Sequence, residues 1–74
     1  MPKLRDLRYQ QVIRALQSLG WSIARQKGSH ISLVKPGSFR PIVIPAHSPV
    51  KLGTLLSNLR TAGISKEQFE SALD

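Results

Sequence analysis

Gly20, Gly28, Pro36-Gly37 and Gly63 cut this chain into segments whose apolar period changes from helical to extended and back to helical. That punctuation limits the fold more than anything else in the sequence. A helical pattern laid down as a strand, or the reverse, would turn apolar side chains to water. Before Gly20, the residues Tyr9, Val12, Ile13, Leu16 and Leu19 recur at the spacing of one helical face. They predict a helix that begins between Asp6 and Tyr9 and ends near Leu19, with Gly20 as its left-handed cap.

Trp21 to Lys27 then reads as a strand, with Trp21, Ile23 and Arg25 on one face and Ser22, Ala24 and Gln26 on the other. Lys27-Gly28 supplies a turn, because glycine takes positive φ without strain. His30 to Lys35 is the second strand, with Ile31 and Leu33 pointing one way and His30, Ser32 and Val34 the other. Lys35-Pro36-Gly37-Ser38 fits a type II turn. Ile42-Val43-Ile44 is a short strand bracketed by Pro41 and Pro45, which donate no ladder hydrogen bond. Ala46 to Lys51 is a loop. Leu52, Leu55, Leu56 and Leu59 form the apolar face of a second helix that stops at Gly63. A short last helix over 65–73 is capped by Ser65 with Gln68, and Ile64 against Phe69 is its hydrophobic staple. The expected fold is α+β, in the order α-β-β-β-α-α, with a three-stranded antiparallel sheet and helices packed on one face. One domain over 1–74 is expected, its core about 7–64.

At 74 residues with no cysteine, the chain has neither disulfides nor thiolate metal ligands, so a compact apolar core must hold it. Its net charge of +7 makes nucleic acid the leading partner. The cations are densest in the first half, at Lys3, Arg5, Arg8, Arg14, Arg25, Lys27, Lys35 and Arg40, whereas Glu67, Glu70 and Asp74 gather at the end. No helix is both strongly apolar on one face and basic on the other, which disfavours a membrane surface. An acidic protein partner fits the charge equally well. The first residues lack the apolar run of a signal peptide, and no segment approaches the ~20 apolar residues of a membrane span. A cytoplasmic location is expected.

His30 is the residue most suited to chemistry. An imidazole titrates near pH ~6.5, so it can take the 2′-hydroxyl proton of RNA or protonate a leaving 5′-oxygen. The plainer reading is a strand histidine hydrogen-bonded to a neighbour. His47, in Pro45-Ala46-His47-Ser48, is a second proton-transfer group, a phosphate contact, or simply a loop histidine satisfying local backbone groups. Arg25 and Lys27 flank the turn, where they would hold phosphate or form a solvated strand edge. The Ser29 hydroxyl can orient phosphate, but a Ser-His-Asp triad fails because Ser29 and His30 are neighbours. The amides at Gly53 and Thr54 can receive a phosphate, although close packing at Gly53 and capping or packing by Thr54 are the plainer expectations. Lys51, before the second helix, is a further phosphate contact. Trp21 and Tyr9 are expected in or beside the core rather than as stacking platforms. No Asp, Glu or Cys stands close to either histidine in sequence, so no metal and no cofactor are expected.

The elements Leu19-Gly20-Trp21, Arg25-Gln26-Lys27-Gly28-Ser29-His30, Val43-Ile44-Pro45-Ala46-His47, Lys51-Leu52-Gly53-Thr54-Leu55 and Leu59-Arg60-Thr61-Ala62-Gly63-Ile64 stand in a recognisable order. From about Leu7 to Ile64 the chain resembles the HicA family, also called YcfA-like, of bacterial toxin–antitoxin pairs. The resemblance implies a small fold like the double-stranded-RNA-binding domain and an endoribonuclease that cleaves mRNA. It implies a catalytic histidine in the Gly-Ser-His element, here His30, and a HicB-like antitoxin that covers it. The partners implied are mRNA and that antitoxin, with a monomer when free, a hetero-oligomer in the complex, and no membrane. Many members carry a second histidine directly after the first, where this chain has Ile31; that departure removes a possible helper. His47 matches the family's Pro-x-His position. Duplex-binding domains of this fold use a lysine cluster at the start of the last helix, and this chain offers only Lys51 there, so the expected substrate is single-stranded.

Two other readings share the same charge. One is a non-catalytic RNA- or DNA-binding module. The other is an inactive HicA relative that acts by binding a partner. Incubation with labelled RNA separates the binding module from a nuclease, since binding weakens with salt under both readings but only the nuclease shortens the RNA.

Overall fold

The computed structural model describes residues 4–73, so the charges of Lys3 and Asp74 and the start of the N-terminal segment lie outside the described residues. The elements follow the order α1 (Tyr9–Ser18), β1 (Ser22–Lys27), β2 (His30–Val34), β3 (Ile42–Pro45), α2 (Leu52–Ala62) and α3 (Lys66–Ala72). The three strands form one antiparallel sheet in the order β1-β2-β3. α1 and α2 both pack on β3, and α3 packs on α1 and α2.

The stripe on α1 folds as its period dictates: Val12, Ile13, Ala15 and Leu16 are buried. Its end is a Schellman cap. Gly20 sits at φ 99°, the Gly20 N–H donates to Gln17 C=O, and the Trp21 N–H donates to Leu16 C=O. Gly63 ends α2 the same way, at φ 72°. Ser65 and Gln68 form the expected reciprocal capping box on α3. Phe69 of α3 is fully buried in the same cluster as Leu16, Leu33, Ile42, Ile44 and Leu55. Trp21 is also buried and Tyr9 packs at the edge of the core, as expected of both. The type II turn holds too: Gly37 has φ 87° and the Ser38 N–H donates to Lys35 C=O.

β1 departs from simple alternation. Ile23 pairs with Leu33 and Arg25 pairs with Ser32, which leaves Ala24 as an extra residue in a bulge. One inserted residue flips every side chain beyond it to the other face. Arg25 therefore does not share a face with Ile23. It lies on the face of Ser32, and Lys27 lies on the face of His30. Ile31, Leu33, Ile42 and Ile44 are buried beneath the helices. Their neighbours His30, Ser32, Val34 and Val43 look out from the open face of the sheet. All six residues of β1 are exposed.

Candidate nucleic-acid interface

The site starts from a tight hairpin. Lys27 and His30 are cross-strand partners on either side of Gly28-Ser29. Gly28 has φ 59°, the sign that the first position of a two-residue II′ turn demands. The Gln26 side chain clamps this turn, its Nε2 donating to the Gly28 carbonyl over 3.1 Å. Directly opposed side chains in an antiparallel pair leave the sheet on the same side, with Cβ atoms about 4.5–5.5 Å apart. The ammonium of Lys27 thus shares the open face with the imidazole of His30. Arg25, two residues before Lys27 and paired with Ser32 beside His30, lies on that face too.

On the other flank of β2, His30 pairs with Pro45 at the end of β3. Beyond it, the Ala46 N–H donates to the Ser29 carbonyl over 2.6 Å, tying the following loop to the hairpin turn. The same loop is held at the N-terminus of α1. The Ser48 hydroxyl accepts from the Tyr9 N–H over 3.1 Å, and the Val50 N–H donates to the Leu7 carbonyl over 2.8 Å. Between these anchors His47 is exposed, and with Pro45, Pro49, Val50, Lys51 and Thr54 it lines a cleft of about 380 Å3. Pro45 is the common member: it pairs with His30 in the sheet and walls the cleft that holds His47.

Arg25, Lys27, His30, His47 and Lys51 are all exposed. Among the described residues no hydrogen bond occupies the side chains of the two histidines, so neither is the internally satisfied histidine that the plainer reading supposed. No Asp or Glu occurs between Asp6 and Glu67, so the ionised groups of the sheet and its loops are all cationic. Among the described residues no cluster of three or more His, Cys, Asp or Glu is placed to hold a metal ion.

Ser29 is exposed in the turn, where its carbonyl accepts from the Ala46 N–H. Lys51 occupies the N-cap position of α2 and makes no side-chain cap. Gly53 is not there for close packing: a Cβ built on it meets nothing within 4 Å. Thr54 does not cap either; it is half-buried, it lines the cleft, and its carbonyl accepts from Asn58 Nδ2. Ile31 is 5% exposed and faces the helices. A histidine at that position would point into the core, so its absence takes nothing from the open face around His30. Gln26, Ala46 and Ser48, which position the turn and the loop, were not singled out from sequence. Gln26 was visible only as a member of the run Arg25 to His30, and the other two act through long-range bonds that no local pattern signals.

A family model described as "HicA toxin of bacterial toxin-antitoxin" matches residues 9–64, which run from the first residue of α1 to just past the cap of α2. A search of curated proteins finds no match.

Proposed function

Since the chain belongs to the HicA toxin family of bacterial toxin–antitoxin systems, we propose that it is an endoribonuclease that cuts single-stranded mRNA on the open face of its sheet, with His30 as the proton-transfer residue. The observation that carries this reading is the pairing of Lys27 with His30 across a tight turn, with Arg25 on the same face. In the reaction the 2′-oxygen of a ribose attacks the adjacent phosphorus, the bond from phosphorus to the 5′-oxygen breaks, and a cyclic phosphate and a 5′-hydroxyl result. His30 takes the 2′-hydroxyl proton as base or delivers a proton to the departing 5′-oxygen as acid. Lys27 and Arg25 hold the phosphate and offset the charge that grows on its non-bridging oxygens. His47 and Lys51, on the far side of Pro45, engage a neighbouring phosphate, and Ser29 offers a hydroxyl from the turn.

Arg25 supports this reading, because alternation back from Lys27 sets it on the face of His30, paired with Ser32. The absence of any carboxylate from Leu7 to Lys66 supports it too, since an RNA strand meets no like charge along the sheet. The donor set suits proton transfer without a metal, and the antitoxin, a HicB-like protein, silences the enzyme by covering His30. The test is controlled expression in bacteria, with wild type beside His30→Ala. Arrest by the wild type alone is expected. Arrest by both variants alike would mean toxicity through sequestration and would remove His30 from the account. In vitro, cleavage is expected to persist in EDTA; loss in chelator with rescue by a divalent ion would overturn the metal-free chemistry.

A further inference from the structure

The cleft beside His47 combines apolar walls with polar groups. Pro45, Pro49 and Val50 line it with uncharged surface, and Val50 is itself buried. His47 and Lys51 line it too and are exposed. Thr54 is half-buried in the wall, and among the described residues its hydroxyl makes no hydrogen bond. At about 380 Å3 the space falls at the small end of the range that small-molecule sites occupy, ~300–1,000 Å3. We propose that this cleft is a subsite for one nucleobase, that of the nucleotide next to the phosphate held at His30. The inference rests on the nuclease reading and adds how the chain grips and selects the RNA beside the cut.

Position and chemistry identify the occupant. Pro45 and His30 are directly opposed across β2 and β3, so the proline ring leaves the sheet on the side of the imidazole, with Cβ atoms about 4.5–5.5 Å apart. An RNA strand whose phosphate lies at His30 passes only that ring to reach the cleft. The two parts of the next nucleotide need different surroundings. Its phosphate calls for donors and positive charge, which the Lys51 ammonium and the His47 imidazole offer. Its base, unstacked in a single strand, calls for apolar surface and a partner for its edge. The prolines have no N–H to give a phosphate, and Val50 has no polar side-chain atom, so a phosphate alone leaves these walls unused. A hydroxyl both donates and accepts, so Thr54 can meet the edge of a base in either sense. No carboxylate lines the cleft to repel an anion. Around His30, by contrast, Arg25 and Lys27 grip the backbone, which carries no sequence information. A preference for one base over another therefore arises in the cleft.

The probes are the four nucleoside 5′-monophosphates and ribose 5-phosphate, which keeps the sugar and the phosphate but has no base. None of them can be cut, so the measurement does not depend on catalysis. Binding to the purified chain is followed by NMR titration. At least one nucleoside monophosphate is expected to bind about 10-fold more tightly than ribose 5-phosphate, with amide shifts centred on His47, Val50 and Thr54. Thr54→Val keeps the β-branched shape and removes the hydroxyl. It should weaken the preferred nucleotide by about three-fold or more and leave ribose 5-phosphate unchanged, whereas a general loss of structure would weaken both. Equal binding of all four nucleotides and ribose 5-phosphate would overturn the subsite. So would a preferred nucleotide whose shifts fall on Phe39 and Arg40, in the loop between β2 and β3 at the other end of the sheet. Neither result touches the nuclease reading, which RNA cleavage by wild type and His30→Ala decides on its own.

Discussion

Lys27 and His30 face each other across the first hairpin, and the Gln26 side chain fixes the turn between them. A cation and an imidazole with the same outlook, both exposed and, among the described residues, neither held by an internal hydrogen bond, form the part of this surface best suited to phosphate chemistry.

Removing the cation should separate catalysis from folding. Lys27→Ala is expected to lower RNA cleavage by about ten-fold or more, because it withdraws charge where the transition state gains it. The melting temperature should stay within a degree or two of wild type, since Lys27 is exposed. Single-turnover cleavage and thermal melts check both halves.

The two glycines Gly28 and Gly53 should respond in opposite directions to alanine. Both have open space where a Cβ would go, but only Gly28 has positive φ. Gly28→Ala should cost about 1 kcal/mol, or roughly 4–8 °C in a domain this small, and should depress cleavage by misaligning His30. Gly53→Ala lies in the first turn of α2 and should raise stability by up to about 1 kcal/mol. Paired denaturation curves read this directly.

Ser48→Ala removes the acceptor for the Tyr9 N–H at the head of α1. A lost cap of this kind costs about 1 kcal/mol. Because the same hydroxyl holds the loop that carries His47, faster amide exchange at Ala46 and His47 should accompany the loss.

Ile31→His would restore the pair of histidines that many family members carry. Position 31 is a core position, so the expected result is a loss of about 2–4 kcal/mol with no gain in cleavage. A stable, faster enzyme would mean that residue 31 reaches the open face.

Much of this architecture is legible in the sequence because local rules and burial agree. The stripe from Tyr9 to Leu19, the glycine caps at Gly20 and Gly63, the Pro36-Gly37 turn and the Ser65–Gln68 box each specify one conformation, and each is present. Strict alternation fails in β1, because a bulge depends on how the partner strand pairs rather than on the residues of the strand itself. The bulge separates Ile23 from Arg25: Ile23 takes the face of Leu33 while Arg25 keeps that of Lys27 and His30. Gly53 misleads in the other direction: a glycine in a helix invites a packing explanation, and nothing packs there. His30 and Lys27 were identifiable from their motif. Their link to His47 was not, because it runs through Pro45 and the Ala46–Ser29 bond between distant parts of the chain.

The most direct measurement is incubation of end-labelled single-stranded RNA with the purified chain, wild type beside His30→Ala, with the antitoxin absent and melting curves recorded for both. The account predicts that wild type shortens the RNA and leaves cyclic phosphate ends, while His30→Ala melts at the same temperature and leaves the RNA whole. Cleavage by His30→Ala at the wild-type rate would contradict it.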